Sequence, residues 1–479
     1  MIRLYYLEYI LLSFYFLFGS TALGIKEALG EQGINAYAVH EKGITGAGVN
    51  IALLSNGNIR DGHAAFERSS GSAVKNYDFT GSGLSRSSHD THMAGIILSA
   101  GSANHPDQIG IAPGARLHSG RFSNKNLYQK TITRALDDLI TRRHCRIIMT
   151  GIQLPKDIVP ANGDSKWTQL YDYYAETYDV IITPAAGNSA GTITVFGDGY
   201  NGITTAGLVR SDPNGPYDSI GTASNPGPTT DGRKKPELCA PTQGLTAPTG
   251  SGDDLWKTLD PTGRGLTSYA IPHTAGVAAL LFEAAAKSTV ENDDRTEVIK
   301  AVIINSADPS AFLANGSIAS SADSITSWNP KSGYGKLDAL KAYNTLMGGP
   351  ITPNTLSKKN LGWAYGVMNA DQEHIYRIQG KPQLRLVVTV TWHRKLKRIE
   401  TLFLDESPRF QLNLKIVSPS GNVLSFETAG KDNLIKTDIL LKEDGPYLIT
   451  LKNPTSAKER DYGMALELLP LENQPSNIP

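Results

Sequence analysis

The period of the apolar positions divides the chain in two. Up to about residue 347, short continuous apolar runs alternate with stretches of helical period; beyond about residue 360 the period falls to two. Gly48–Leu54, Cys145–Thr150 and Val180–Ala186 are continuous apolar runs, the pattern of strands covered on both faces. Thr91–Ala100, Thr131–Arg142, Val277–Lys287 and Glu297–Ser306 predict helices. In the second of these, Ile132, Ala135, Leu136 and Leu139 fall on one side. Strands alternating with helices predict an α/β, doubly wound, mostly parallel sheet with right-handed crossovers. Gly348-Gly349-Pro350 then breaks the chain.

The period-two region contains Leu384–Trp392, Leu412–Val417, Tyr447–Leu451 and Met464–Leu468, with a turn at Pro419-Ser420-Gly421-Asn422. Short strands with turn punctuation predict an all-β sandwich over residues 360–472. At the other end, Arg3 precedes an apolar run from Tyr9 to Phe18 and the small residues Gly19, Ser20, Thr21 and Ala22. Such a run is too short to span a bilayer and predicts a secretory signal over residues 1–24. The expectation is a secreted, periplasmic or cell-surface protein, with no stable membrane span once the signal is removed and a first domain over residues 25–348.

Composition narrows the partners. Lys+Arg and Asp+Glu balance at 46 each in 479 residues. No basic tract suits a polyanion, and nucleic acid is not expected. Two cysteines, Cys145 and Cys239, make no disulfide framework and read as buried thiols. The loop Gly101–Gly110 carries one carboxylate, Asp107, too few oxygen ligands for a hard cation. His63, His105 and His118 show no paired metal spacing. Neither a metal nor a cofactor is expected.

The candidate chemistry centres on Thr267-Ser268-Tyr269-Ala270-Ile271-Pro272-His273. It reads as a hydroxyl at the start of a buried helix, where unpaired N–H groups and the positive dipole end favour a developing oxyanion. The run resembles the serine motif of the subtilisin-like serine peptidases. Four further blocks, in that family's order, carry the resemblance over roughly residues 35–345: Gly43–Val49 with Leu53–Gly57, Ser88–Gly95, Pro184–Ser189, and Asn225–Glu237 ending in Ala240-Pro241. Residues 333–347 look like the closing helix of the subtilisin-like domain. The segment after residue 360 resembles the jelly-roll domain carried behind many secreted peptidases.

The resemblance implies that Ser268 is the nucleophile, His89 the general base and His92 the structural histidine one turn on. It makes Asn188 the oxyanion donor, and lays Thr150-Gly151-Ile152 and Ala185-Ala186-Gly187 along the substrate. An unactivated hydroxyl is a weak nucleophile, and imidazole, with an ordinary pKa of about 6.5, is suited to take its proton. A carboxylate normally orients that imidazole and offsets its charge. Here the chain departs from the family. The acid position at the end of the first strand is Ser55, which can bond an imidazole but cannot balance it. Asp90, where the family has glycine, is the candidate substitute; the competing reading places it in the first turn of a helix, complementing the dipole. Asp61 and Asp78 read as loop residues. Thr150-Gly151-Ile152 and Leu266 stand where the family has Ser-Leu-Gly and Gly, which predicts a narrowed or closed pocket. Two functional readings follow. One is a serine endopeptidase acting on peptide or protein substrates through Ser268 and His89. The other is a catalytically impaired pseudopeptidase that binds peptide or protein through the old cleft.

Overall fold

The computed structural model describes residues 25–123, 129–152, 160–212, 214–310, 312, 328–407, 409–457 and 459–470. The expected signal falls outside them. Five strands, β1 (Asn50–Ser55), β2 (Val74–Asp78), β3 (Arg116–Arg121), β4 (Ile147–Thr150) and β5 (Ile181–Pro184), form a parallel sheet in the order β2-β3-β1-β4-β5. A three-stranded group, β6 (Thr205–Arg210), β7 (Tyr217–Ile220) and β8 (Leu238–Pro241), extends it through a parallel bridge between Ala185 and Thr205. A small hairpin, β9 (Thr246–Pro248) and β10 (Trp256–Thr258), follows.

The helices are the short α1 (Ile25–Leu29) and α2 (Ala36–His40), then α3 (Ser88–Leu98), α4 (Gln129–Asp137), α5 (Lys166–Thr177), α6 (Ile271–Lys287), α7 (Thr296–Asn305) and α8 (Ala339–Met347). A π-helical turn, Asp138–Arg142, prolongs α4, so the periodic segment Thr131–Arg142 is helical throughout. Successive strand residues feed two different cores. Ile51, Leu53, Ile147, Met149 and Ile181 pack with α3, α6 and α7. Ala52, Leu54, Ile148 and Ile182 pack with α4 and α5. This double coverage is why the strands read as unbroken apolar runs.

The two cores correct the expectation of uniformly right-handed crossovers. The connections β2-α3-β3, β3-α4-β4 and β4-α5-β5 all advance across the sheet in the same direction. Yet α3 lies on one face, and α4 and α5 lie on the other. Equal direction on opposite faces means opposite hand, so the α3 crossover differs from the other two. Its placement sets α3 beside α6.

The C-terminal region is β11 (Leu356–Ser357), β12 (Leu361–Met368), β13 (Glu373–Gly380), β14 (Leu384–Trp392), the hairpin β15 (Leu396–Ile399) and β16 (Leu402–Asp405), then β17 (Asn413–Val417), β18 (Val423–Thr428), β19 (Leu434–Leu440), β20 (Gly445–Lys452) and β21 (Arg460–Pro470). Two sheets, β11-β13-β20-β17-β18 and β12-β21-β14-β19, enclose one core. The second lies on α7. Thr391 donates to the Glu297 carbonyl at 2.7 Å, and Thr389 donates to Asn305 Oδ1 at 2.9 Å. Lys436 Nζ reaches the Ile304 carbonyl at 2.8 Å and those of Asn305 and Ala307 at 3.3 and 3.4 Å. A buried cation thus satisfies the carbonyls that the helix end leaves open.

The same joint buries a titratable pair. His393 Nδ1 lies 3.5 Å from Glu297 Oε1. Neither His393 ring nitrogen, nor Glu297 Oε2, has a hydrogen-bond partner among the described residues. Asp179, Arg295, Lys300 and Asp461 supply the surrounding charge. Burial, aided by Asp179, pushes Glu297 from 4.5 up to about 7; burial, aided by Lys300, holds His393 down to about 3. A carboxyl whose folded pKa is raised stabilises fully below its unfolded value and loses that contribution as pH rises through the folded one. Thermal unfolding should therefore show the wild type losing up to about 3 kcal/mol relative to Glu297→Gln between pH 4.5 and pH 7.5. A difference that does not vary with pH would contradict this assignment.

Candidate active site

The carboxyl ends of β1, β4 and β5 and the starts of α3 and α6 meet at one rim of the sheet. A cleft of about 250 Å³ opens there, lined by His89, Thr150, Gly151, Ile152, Ala185, Asn188 and Ser268. Seven residues drawn from across the first domain thus share one surface. Ala186 and Gly187 are buried and do not belong to that lining. Ile152 borders the cleft without closing it, and Leu266 is not part of the lining.

Ser268 sits in a 3-10 turn, Thr267–Tyr269, that leads into α6. Pro272, in the first turn of α6, costs no hydrogen bond because the amide it replaces would have no helical partner. Every residue of α6 from Ile271 to Ala285 is buried, so the helix anchors the turn rigidly. Thr267 ties that turn to the Asn188 loop. Its amide and its hydroxyl both donate to Asn188 Oδ1 at 2.7 Å. With the amide oxygen so engaged, Asn188 keeps its NH₂ group for other partners.

Asn225 shapes the same loop from behind. Its Oδ1 accepts from the Ser189 amide at 2.8 Å and the Gly191 amide at 3.1 Å, and its Nδ2 donates to the Thr192 carbonyl at 2.7 Å. Gly187 has φ +123, and a Cβ there would meet Asn225 Nδ2 at 2.2 Å. Only glycine fits between the two.

His89 lies in the first turn of α3, and its side chain is 40% exposed. Its ring centroid is 6.0 Å from that of Tyr269. Ser87 caps the helix by accepting from the Asp90 amide at 3.1 Å. The Asp90 carboxylate is 1% exposed and turns toward the end of β1. Ser55 Oγ donates to Asp90 Oδ1 at 2.7 Å, and His89 Nδ1 lies 3.4 Å from the same oxygen. Asp90 thus occupies the first helical turn and also places a carboxylate oxygen beside the imidazole. Asp61 and Asp78 are elsewhere; Asp78 accepts from the Thr80 and Gly83 amides. His92, one turn further, is buried and held down to about 4, by burial first and then by the nearby His89 and Lys257 charges.

Residues 31–339 match the Subtilase family. That span is well over half of the chain. The chain belongs to the subtilase family. Two solved structures are also similar. A structure titled prenylagaramide maturation protease PagA is 21% identical, with 65% of this chain and 98% of that chain covered and a TM-score of 0.48. A mutant of the protease domain of PatA is 20% identical, with 63% and 95% covered and a TM-score of 0.46.

The remaining chemistry-bearing residues of this subtilase pack as structure. Cys145 and Cys239 are free and buried in different cores, and burial pushes both thiols up. His63 bridges the Ala65 amide and the Leu255 carbonyl. Among the described residues no group of three His, Cys, Asp or Glu could hold a metal ion, and no helix is long and apolar enough to cross a membrane. Sequence reasoning passed over Thr267, whose position beside Ser268 was its only signal. The Asn225 block was legible as a structural signature, but its hold on the Asn188 loop was not. Asn225→Ala would remove three part-buried hydrogen bonds to the loop, so unfolding should show a loss of about 1–2 kcal/mol. A variant as stable as the wild type would remove Asn225 from this role.

Proposed function

We propose that this subtilase is a serine endopeptidase in which Asp90 replaces the acid missing at position 55. The carrying observation is the single oxygen, Asp90 Oδ1, buried 3.4 Å behind Nδ1 of His89, which lines one cleft with Ser268. A carboxylate there fixes the imidazole tautomer with the proton on Nδ1 and leaves Nε2 as the base. Ser268 Oγ attacks the substrate carbonyl carbon while His89 takes the hydroxyl proton. The negative oxygen of the tetrahedral intermediate is held by Asn188 Nδ2 and the Ser268 amide. Collapse breaks the C–N bond, and His89 returns its proton to the leaving amine. Water then repeats the sequence on the acyl-enzyme and frees Ser268. The Asp90 carboxylate offsets the imidazolium charge.

Thr150, Gly151, Ile152 and Ala185 line the same cleft, which suits an extended peptide or protein chain lying along the segment that continues β4. We further infer export, on the strength of the apolar run Tyr9–Phe18 behind Arg3 and the small residues after it. The pseudopeptidase reading rested on the missing acid and on side chains expected to block the cleft. The peptidase reading is supported over it by Asp90 Oδ1 beside His89 Nδ1 and by a cleft of about 250 Å³ that Ile152 lines.

A fluorophosphonate probe and a casein substrate test the proposal. The wild type should be labelled and should cleave; Ser268→Ala should do neither. Asp90→Asn should retain the fold and lose turnover by about 10⁴, the magnitude known for loss of the acid in subtilisin, a member of the same family. Labelling of Ser268→Ala equal to that of the wild type rejects Ser268 as nucleophile. Unchanged turnover in Asp90→Asn rejects the relocated acid.

A further inference from the structure

The end of β1 raises a separate question, namely what Ser55 does. It is 3% exposed, and its hydroxyl proton is given to Asp90 Oδ1 at 2.7 Å. The strand position is fixed independently, since the Phe122 amide donates to the Ser55 carbonyl at 3.1 Å. Asp90 Oδ2 is buried with no hydrogen-bond partner among the described residues. Its surroundings are close: a Cβ on Gly57 would lie 2.8 Å from Oδ2 and 2.5 Å from the Ser87 Cβ. The carboxylate is thus walled in on one side and held by Ser55 on the other. Besides His89, the groups bearing on this start of α3 are His92 on the same helix and Lys257 on β10.

We propose that Ser55 and Asp90 form an exchanged pair, in which Ser55 is the positioning residue that aims the displaced carboxylate at His89. An aspartate returned to position 55 then impairs the enzyme instead of repairing it, unless Asp90 is removed from the same molecule. The inference rests on Asp90 as the acid and adds what holds it there. The physical reason is spacing. A carboxyl at position 55 sets an oxygen at or inside the 2.7 Å that now separates Ser55 Oγ from Asp90 Oδ1. Two carboxylates so close in a buried site cannot both ionise, and they retain one proton between them. That proton sits on or beside the oxygen that faces His89, which weakens the acid where its charge is needed. Ser55→Ala fails in a different way, because it removes the shorter of the two bonds to Asp90 Oδ1 and leaves the buried carboxylate with the 3.4 Å contact to His89 Nδ1 to orient it.

Four variants decide the matter: Ser55→Thr, Ser55→Ala, Ser55→Asp, and Ser55→Asp combined with Asp90→Gly. Each is measured for kcat/KM against pH on a chromogenic peptide, and for thermal unfolding at pH 5 and pH 8. Ser55→Thr keeps the hydroxyl and should stay within about threefold of the wild type. Ser55→Ala should fall by about tenfold, the value of one hydrogen bond to a charged group, with the acid limb of its profile displaced. Ser55→Asp should fall at least tenfold at pH 8, and the double variant should recover at least tenfold over it. The retained proton belongs to the folded state of Ser55→Asp, so its Tm deficit should grow from pH 5 to pH 8. In the double variant the deficit should be the same at both. Ser55→Asp as active as the wild type at pH 8, Ser55→Ala as active as Ser55→Thr, or a Tm deficit that does not grow with pH would each overturn the proposal. If the wild type itself cleaves nothing, the peptidase reading fails, while the unfolding measurements still decide whether positions 55 and 90 are coupled.

Discussion

Helices α3 and α6 both start at the carboxyl rim of the parallel sheet and pack on the same face of it. That shared face is the constraint on which the site depends. His89 lies in the first turn of α3, and Ser268 lies in the turn that feeds α6. The nucleophile and the base are 179 residues apart in the chain, and each must be carried by an element whose N-terminus points at the same cleft. Had the α3 crossover the same hand as the α4 and α5 crossovers, α3 would lie on the opposite face, with the whole sheet between the two helices. The handedness rule is strong because a twisted strand feeds a right-handed helix back onto the sheet in one sense. An exception to it needs compensation. Here that comes from the buried contact of α3 with α6 and with β9, where a Cβ on Gly95 would fall 2.1 Å from Pro248.

Within that frame, the relocation of the acid is a small displacement. Side chains in the first turn of a helix lean toward its N-terminus, and the N-terminus of α3 faces the end of β1. Neighbouring residues on a helix diverge by about 100° at Cβ. The divergence holds at Cβ and is recovered further out, because the carboxylate is drawn to Ser55 and the imidazole Nδ1 turns back over the same oxygen. What catalysis requires is a charge near Nδ1, whichever backbone supplies it.

The legible parts of this chain are those where one physical demand dominates. Strands β1, β4 and β5 are covered on both faces and declare themselves as apolar runs; β14 begins and ends at Leu384 and Trp392, the limits its alternation sets. The helix around His92 begins three residues earlier than its apolar run suggests, because the Ser87 cap starts it and not the first buried methyl. Strand β3, Arg116–Arg121, reads poorly because His118, Ser119 and Gly120 occupy its middle. His118 nevertheless bonds the Tyr77 hydroxyl at 3.1 Å, so tertiary contacts fix a segment whose own composition does not. At the site, the residue types of Ser268, His89 and Asn188 were readable from the motifs. The fit of Asp90 to Ser55 was not, because it depends on two side chains that meet across 35 positions of sequence.

The C-terminal sheets bear on the catalytic half through the same logic of satisfied ends. Helix α7 would expose its last carbonyls beneath a sheet, in a place where water cannot reach them, were Lys436 not there to take them. Arg394, 1% exposed at its side chain, reaches the Gly163 carbonyl at 2.7 Å and Asp164 at 3.0 Å while also holding Asp405. Leu396 and Phe403 of the β15–β16 hairpin enter the core beneath α4 and α5, against which Ile152 also packs. Ile152 lines the cleft. The second domain therefore completes a core that supports one wall of the site, and the cost of detaching it includes buried charges left unpaired, beyond the apolar area exposed.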